Sequence, residues 1–244
     1  MSTGATAGAP GAVRGRLCAG LLRRASHRLA LRLYVRRAMS REDRFRMLGF
    51  ALSVQPTVFH PRLFGTSRFF GRYLRTRDLH HAEILEIGCG SGILSFVAAR
   101  RGARVTALDI NPRAVRCTEA NARSNGLEAR VNVLESDLFD SLSAGRAFDH
   151  IVWNPPFYGA EQTDDASRAW NAGPAYGVIN RFARSACRFL RPGGSVILVT
   201  SSDAGEREIL SAMAREGFAA LLRARRRGLF ETLSIFEFRG AARE

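Results

Sequence analysis

The stretch Ala82-Glu83-Ile84-Leu85-Glu86-Ile87-Gly88-Cys89-Gly90-Ser91-Gly92 decides the fold. Its apolar run predicts a strand over 82–87, and the helical pattern over 91–101 begins directly after the glycines. Glycines at such a turn let the backbone bend sharply and approach a ligand, whose anionic or polar part meets the free N–H groups and positive end of the helix. A dinucleotide fingerprint would read GxGxxG; here position 93 is Ile and the glycines run GxGxG, with an acid two residues before them.

Working outward, apolar runs alternate with helical patterns. Strands are expected at 104–108, 131–135, 148–153, 195–200, 218–225 and 231–238, and helices at 113–124, 175–190 and 204–215. Strands separated by helices mean parallel βαβ units covered on both faces, a doubly wound α/β fold. A turn at Gly228 makes the last two strands a hairpin, so the final strand is antiparallel to its neighbour. Upstream, a short helix is expected over 40–49, two short strands over 50–59 around Gln55-Pro56, and a helix over 67–75. The chain thus divides into a lead-in and basic arm (1–49), a hairpin and helix (50–80) and the α/β domain (81–240).

Acids stand at successive strand tips. Asp109, at the second, is placed to accept hydrogen bonds from two ribose hydroxyls, and Asp137, at the third, to accept from an exocyclic amine. Either acid alone also reads as a helix cap or a solvated loop end. The fourth strand ends in Asn154-Pro155-Pro156-Phe157. Prolines cannot continue a central strand, so the chain is forced out stiffly at the carboxyl edge. There the Asn154 side-chain oxygen and the Pro155 carbonyl can both accept from one planar NH2 group, and Phe157 offers a face for stacking.

With these motifs the sequence resembles the class I S-adenosylmethionine-dependent methyltransferases, in particular the small methyltransferases whose motif is (Asn/Asp)-Pro-Pro-(Tyr/Phe). The resemblance covers about residues 50–238 and implies a Rossmann-like seven-stranded sheet. It implies that Glu86, Gly88, Cys89, Gly90 and Gly92 form the methionine-binding loop, and that Asp109 with Ile110 holds the ribose. Asp137 with Leu138 would hold the adenine, and Asn154, Pro155, Pro156 and Phe157 the acceptor nitrogen, with Asn154 also touching the cofactor. Phe59-His60-Pro61-Arg62 with Thr66 is similar to an upstream motif that reads Pro-Arg-Pro-Glu-Thr in bacterial release-factor enzymes, with the Glu missing here. It implies substrate contacts for Phe59, Pro61, Arg62 and Thr66, alongside Phe157 and Tyr158. Arg168-Ala169-Trp170 and Val178-Ile179-Asn180-Arg181-Phe182 resemble a segment of the short eukaryotic and archaeal release-factor methyltransferases. In this family the motif marks methylation of planar nitrogens. The implied acceptor is a protein glutamine amide, with a nucleobase amine in RNA or DNA, or a small molecule, as the alternatives.

Composition bounds the rest. Of 244 residues 46% are hydrophobic and 24% charged, which excludes wholesale disorder and collagen-like repetition. The net charge is +15, and all 37 basic residues are Arg, so biased codon usage accounts for it as readily as a polyanionic partner. The excess sits in residues 1–80, where 16 Arg face Glu42, Asp43 and Asp78. Residues 1–13 read as a disordered lead-in, and 14–39 as a helix with poorly separated faces. That arm is compatible with a transit peptide, a nucleic-acid contact or a solvated or packing helix. Cys18, Cys89, Cys117 and Cys187 form no CxxC pair, and the five histidines no HxxxH or HExxH pattern, so no metal site and a reducing, cytoplasmic setting are expected. No uncharged stretch is long enough to span a bilayer.

Overall fold

A computed structural model describes residues 40–63, 65–163, 168, 170–202, 205–228 and 231–240. The expected lead-in and basic helix over 1–39 lie outside the described residues. The first described element corrects the expected helix over 40–49. Asp43–Met47 (β1) is a strand paired antiparallel with Phe50–Val54 (β2), so Phe50–Val54 is the second strand of a hairpin, and residues 55–59 form no strand. The reason is legible after the fact. Arg44, Phe45, Arg46 and Met47 alternate polar and apolar with the period of a strand. Leu48 and Gly49, with φ of 52° and 86°, supply the two positive values that a two-residue hairpin turn requires.

Helix α1 (Gly65–Arg75) leads into the sheet strands β3 (Glu83–Ile87), β4 (Arg104–Asp109), β5 (Val131–Glu135), β6 (Phe148–Trp153), β7 (Leu190–Ser201), β8 (Phe218–Arg227) and β9 (Thr232–Gly240). Between them run α2 (Ile93–Arg100), α3 (Pro112–Ser124), α4 (Gly177–Ala186) and α5 (Glu206–Arg215). The sheet order is β5-β4-β3-β6-β7-β9-β8, with β9 antiparallel to both neighbours. The doubly wound seven-stranded fold is as expected. What the sequence reading lacked is that the last strand inserts between β7 and β8 rather than adding at the edge.

Side chains alternate across the sheet. Ile84, Val105, Ala107, Val152 and Ile197 bury against α1, α2 and the hairpin, while Leu85, Ile87, Leu108, Ile151, Trp153 and Leu198 bury against α4 and α5. The far edge of β2 is closed by side chains of α3. The Asn121 and Asn125 amides, one helical turn apart, exchange hydrogen bonds with the backbone of Ser53 and Ala51 at 2.8–3.0 Å, as a third strand would.

Candidate active site

Parallel register assembles the site. Ile87 pairs with Leu108 on one side and Trp153 on the other, so Gly88, Asp109 and Asn154 emerge together at the carboxyl edge. Because β3 is followed by β4 and β5 on one flank while β6 lies on the other, this is where the winding reverses, the place where open α/β sheets bind ligands. A cleft of about 240 Å³ opens there, lined among others by Phe59, Gly88, Gly90, Asp109, Ile110, Asp137, Leu138, Asn154 and Pro156.

The glycine loop divides its labour. Gly88 and Gly90, with φ of 65° and 56°, line the cleft. Gly92 does not: a side chain there would meet the Phe96 ring at 2.4 Å and Thr118 at 2.8 Å, so its role is close packing. Cys89 is buried too, its thiol accepting from Thr118 and its pKa pushed well above the ordinary value by burial. Glu86 lies beneath the loop rather than on the cleft wall. Its carboxyl accepts from the backbone N–H of Ser95 at 2.8 Å and from the Ser95 hydroxyl, bracing the first turn of α2. Burial pushes its pKa up to about 8. Glu86, Cys89 and Gly92, expected at the cofactor, do not line the cleft and support the loop from beneath.

Asp109 is held from two sides, accepting from the N–H groups of Gly90 and Asn111, each at 2.9 Å. That bracing aims a carboxylate, which has about four acceptor positions, along the cleft rim. Asp137 is gripped by a fork: Arg181 Nη1 and Nη2 reach its two oxygens at 3.0 and 2.9 Å, and this contact raises the Arg181 pKa. Arg181 itself lines the cleft. Leu138 takes a positive φ of 53°, in a turn fixed by Ser136, whose hydroxyl donates to the Leu138 carbonyl.

Asn154 is the most informative side chain. Its Nδ2 donates to Thr66 Oγ1 and Ser67 Oγ, both at 3.4 Å, at the start of α1. That assignment leaves Oδ1, which is buried and has no hydrogen-bond partner. A buried acceptor left unsatisfied costs about 1–3 kcal/mol, so it marks a place where a ligand donor completes the structure. Thr57 Oγ1, on a second residue of the cleft wall, is orphaned in the same way.

Several expected substrate contacts fall elsewhere. Arg62 donates to Asp43 at 3.1 Å and stacks over Phe45, and Pro61 is buried beside it, so both secure the hairpin and neither lines the cleft. Thr66 is buried, does not line the cleft and accepts from Asn154. Phe157 packs on the core below α1, leaving Pro156 to line the cleft, while the Tyr158 backbone bonds to Trp170 and Ala172. Ser67, Trp153, Asn111, Gln162 and Arg181 belong to the site and were missed. Only Asn111 carried a local signal, as an Asn before Pro at a helix start, where it caps α3.

Among the described residues no group of three or more His, Cys, Asp and Glu could hold a metal ion, and no helix is long and apolar enough to cross a membrane. The cleft suits S-adenosylmethionine on the structure's own terms. A glycine turn admits close backbone approach, the Asp109 and Asp137 carboxylates line the cleft, and Asn154, with its unpartnered oxygen, lines it too.

Comparison with known proteins agrees. Residues 50–220 match the family described as "Methyltransferase small domain". The chain is 31% identical over 164 residues to a Methanocaldococcus jannaschii protein named "Putative protein N5-glutamine methyltransferase", covering 65% of this chain and 81% of that one. It is 34% identical over 162 residues to the ribosomal RNA small subunit methyltransferase C of Chromohalobacter salexigens, covering 65% of this chain but 44% of that longer protein. In fold it is similar to the T. thermophilus 16S rRNA methyltransferase RsmC in complex with AdoMet and guanosine, at a TM-score of 0.59 and 24% identity over 82% of this chain and 50% of that one. The chain therefore belongs to the small-domain methyltransferase family and is an S-adenosylmethionine-dependent N-methyltransferase.

Proposed function

We propose that the acceptor is a protein glutamine amide. The carrying observation is the buried Asn154 Oδ1 without a partner, held by Thr66 and Ser67 at the tip of β6. A primary amide has one planar NH2 with two N–H bonds; one would be accepted by Asn154 Oδ1 and the other by the Pro155 carbonyl. S-adenosylmethionine supplies a methyl group already activated on a sulfonium. The chain's task is then alignment, with Asp109 and Asp137 fixing the nucleoside end and the Asn154-Pro155 corner orienting the nitrogen; such positioning corresponds to effective molarities of about 10⁵–10⁸ M. The N–CH3 bond forms as the S–CH3 bond breaks and S-adenosylhomocysteine leaves; acceptance of both N–H bonds stabilises the positive charge developing on nitrogen, which then releases one proton to solvent, so no general base is assigned. The archaeal relative supports the amide reading, since the chain spans 81% of it and less than half of the rRNA methyltransferase.

The test is transfer of labelled methyl into fractionated protein, RNA and small-molecule extracts. Label in a protein fraction, recovered as N5-methylglutamine after enzymatic digestion, is the expected result. Label confined to RNA would replace the amide by a nucleobase amine, which offers the same planar donor but must be unpaired or flipped out to reach the corner.

A further inference from the structure

A second cavity, of about 420 Å³, lies away from the catalytic cleft, between the hairpin turn and the C-terminal ends of α1 and α2. Its lining is Leu48, Gly49, Phe50, Val97 and three arginines, Arg75, Arg100 and Arg101. Two of these guanidinium groups are held in place without a carboxylate. Arg100 lies 3.9 Å over the Phe50 ring, with Gly49 leaving it room, and Arg101 donates its Nε to the Arg77 carbonyl at 3.2 Å. Among the described residues no Asp or Glu pairs with any of the three, and α1 and α2 themselves contain no acid.

Cations at helix C-termini sit favourably against the macrodipole, and that placement leaves three guanidinium groups on one cavity without an acidic partner among the described residues. Arginine forks bind phosphate in bidentate geometry. We propose that this cavity is a binding site for a phosphate group, either free phosphate or the phosphate of a nucleoside monophosphate whose organic part rests on Leu48, Phe50 and Val97.

The test is calorimetric titration of the full chain with inorganic phosphate and with cytidine 5′-monophosphate, at constant ionic strength and with S-adenosylhomocysteine filling the cleft. Saturable binding is expected, weakened roughly tenfold or more by Arg75→Gln and by Arg100→Gln. Arg75 is exposed, so Arg75→Gln keeps the test valid if Arg100→Gln unfolds the hairpin. Tighter binding of the nucleotide than of phosphate identifies the organic part as ligand; equal binding identifies phosphate itself. Absence of saturable binding to either probe, or affinities unchanged in Arg75→Gln, overturns the proposal.

Discussion

The side chain of Asn121 treats Ser53 as a neighbouring strand would: its oxygen accepts from the Ser53 N–H at 2.9 Å and its nitrogen donates back to the Ser53 carbonyl at 3.0 Å. The same nitrogen reaches the Ser91 carbonyl at 3.1 Å. One buried amide on α3 therefore ties the N-terminal hairpin to the glycine loop of the cleft.

Asn121→Ala should destabilise the fold, because it strands the backbone N–H of Ser53 and the carbonyl of Ser91 and leaves the Ser53 carbonyl only the Cys117 thiol as donor. Each stranded group costs about 1–3 kcal/mol. For two stranded groups this is about 2–6 kcal/mol, which in a domain of this size corresponds to a fall in Tm of roughly 4–24 °C, read by calorimetry. An unchanged Tm would mean that the hairpin docks through its apolar contacts alone.

The fold was legible where burial imposes a period and obscure where contacts are long-range. Strands β3, β4, β6 and β7 announce themselves because both sheet faces are covered, which makes their sequences largely apolar, whereas the edge strand β5 exposes Asn132 and Glu135. β1 does not, since Arg44 and Arg46 face out and only Phe45 and Met47 face in, too short a pattern to stand against a helical reading. The site divides in the same way. Gly88, Asp109, Asp137 and Asn154 follow strands and could be placed by their position at the tips. Ser67 could not: its importance comes from an approach of α1 to Asn154 across 87 residues. Arg62 looked like a substrate contact by motif alone, and the structure uses it to close the hairpin on Asp43.

The Arg181 fork on Asp137 yields an order of effects on cofactor affinity. The pair is about half exposed and contributes little to stability, under about 1 kcal/mol. If the Asp137 oxygens serve the adenine amine, Asp137→Ala should weaken S-adenosylmethionine binding most. Asp137→Asn, which keeps one acceptor, should weaken it less, and Arg181→Ala least, in equilibrium titrations. Arg181→Ala matching Asp137→Ala would transfer the adenine contact to the arginine.

Glu86 makes stability depend on pH in the reverse of the usual carboxylate sense. Its pKa is about 8 in the fold against 4.5 in the unfolded chain, so between those values the native state keeps a proton that the unfolded state has released. Its contribution to stability is full below pH 4.5, declines as pH rises and levels off above 8. Glu86→Gln removes the titration. Its stability relative to the parent protein should rise by about 3–4 kcal/mol from pH 5 to pH 8 in urea denaturation. A constant difference across that range would show that Glu86 is ionised in the fold.

Asn154 carries the last prediction. Its amide nitrogen is anchored by two hydroxyls and its buried oxygen has no partner, so under the glutamine reading Asn154→Ala should lower kcat by about 10²–10³, the cost of one transition-state contact. S-adenosylmethionine should bind nearly as before, because the lost contact is to the second substrate. Asn154→Asp separates geometry from charge. The Thr66 and Ser67 hydroxyls can rotate from accepting to donating and hold a carboxylate in the same place. The variant keeps an oxygen facing the acceptor and should retain more activity than Ala on a neutral amide. Ser67→Ala, which leaves Thr66 as sole anchor, should fall between the parent protein and Asn154→Ala in kcat with KM for the cofactor unchanged. Full turnover by Asn154→Ala on the labelled substrate would show that the orphaned oxygen does not meet the acceptor nitrogen, and the glutamine reading would lose the observation on which it rests.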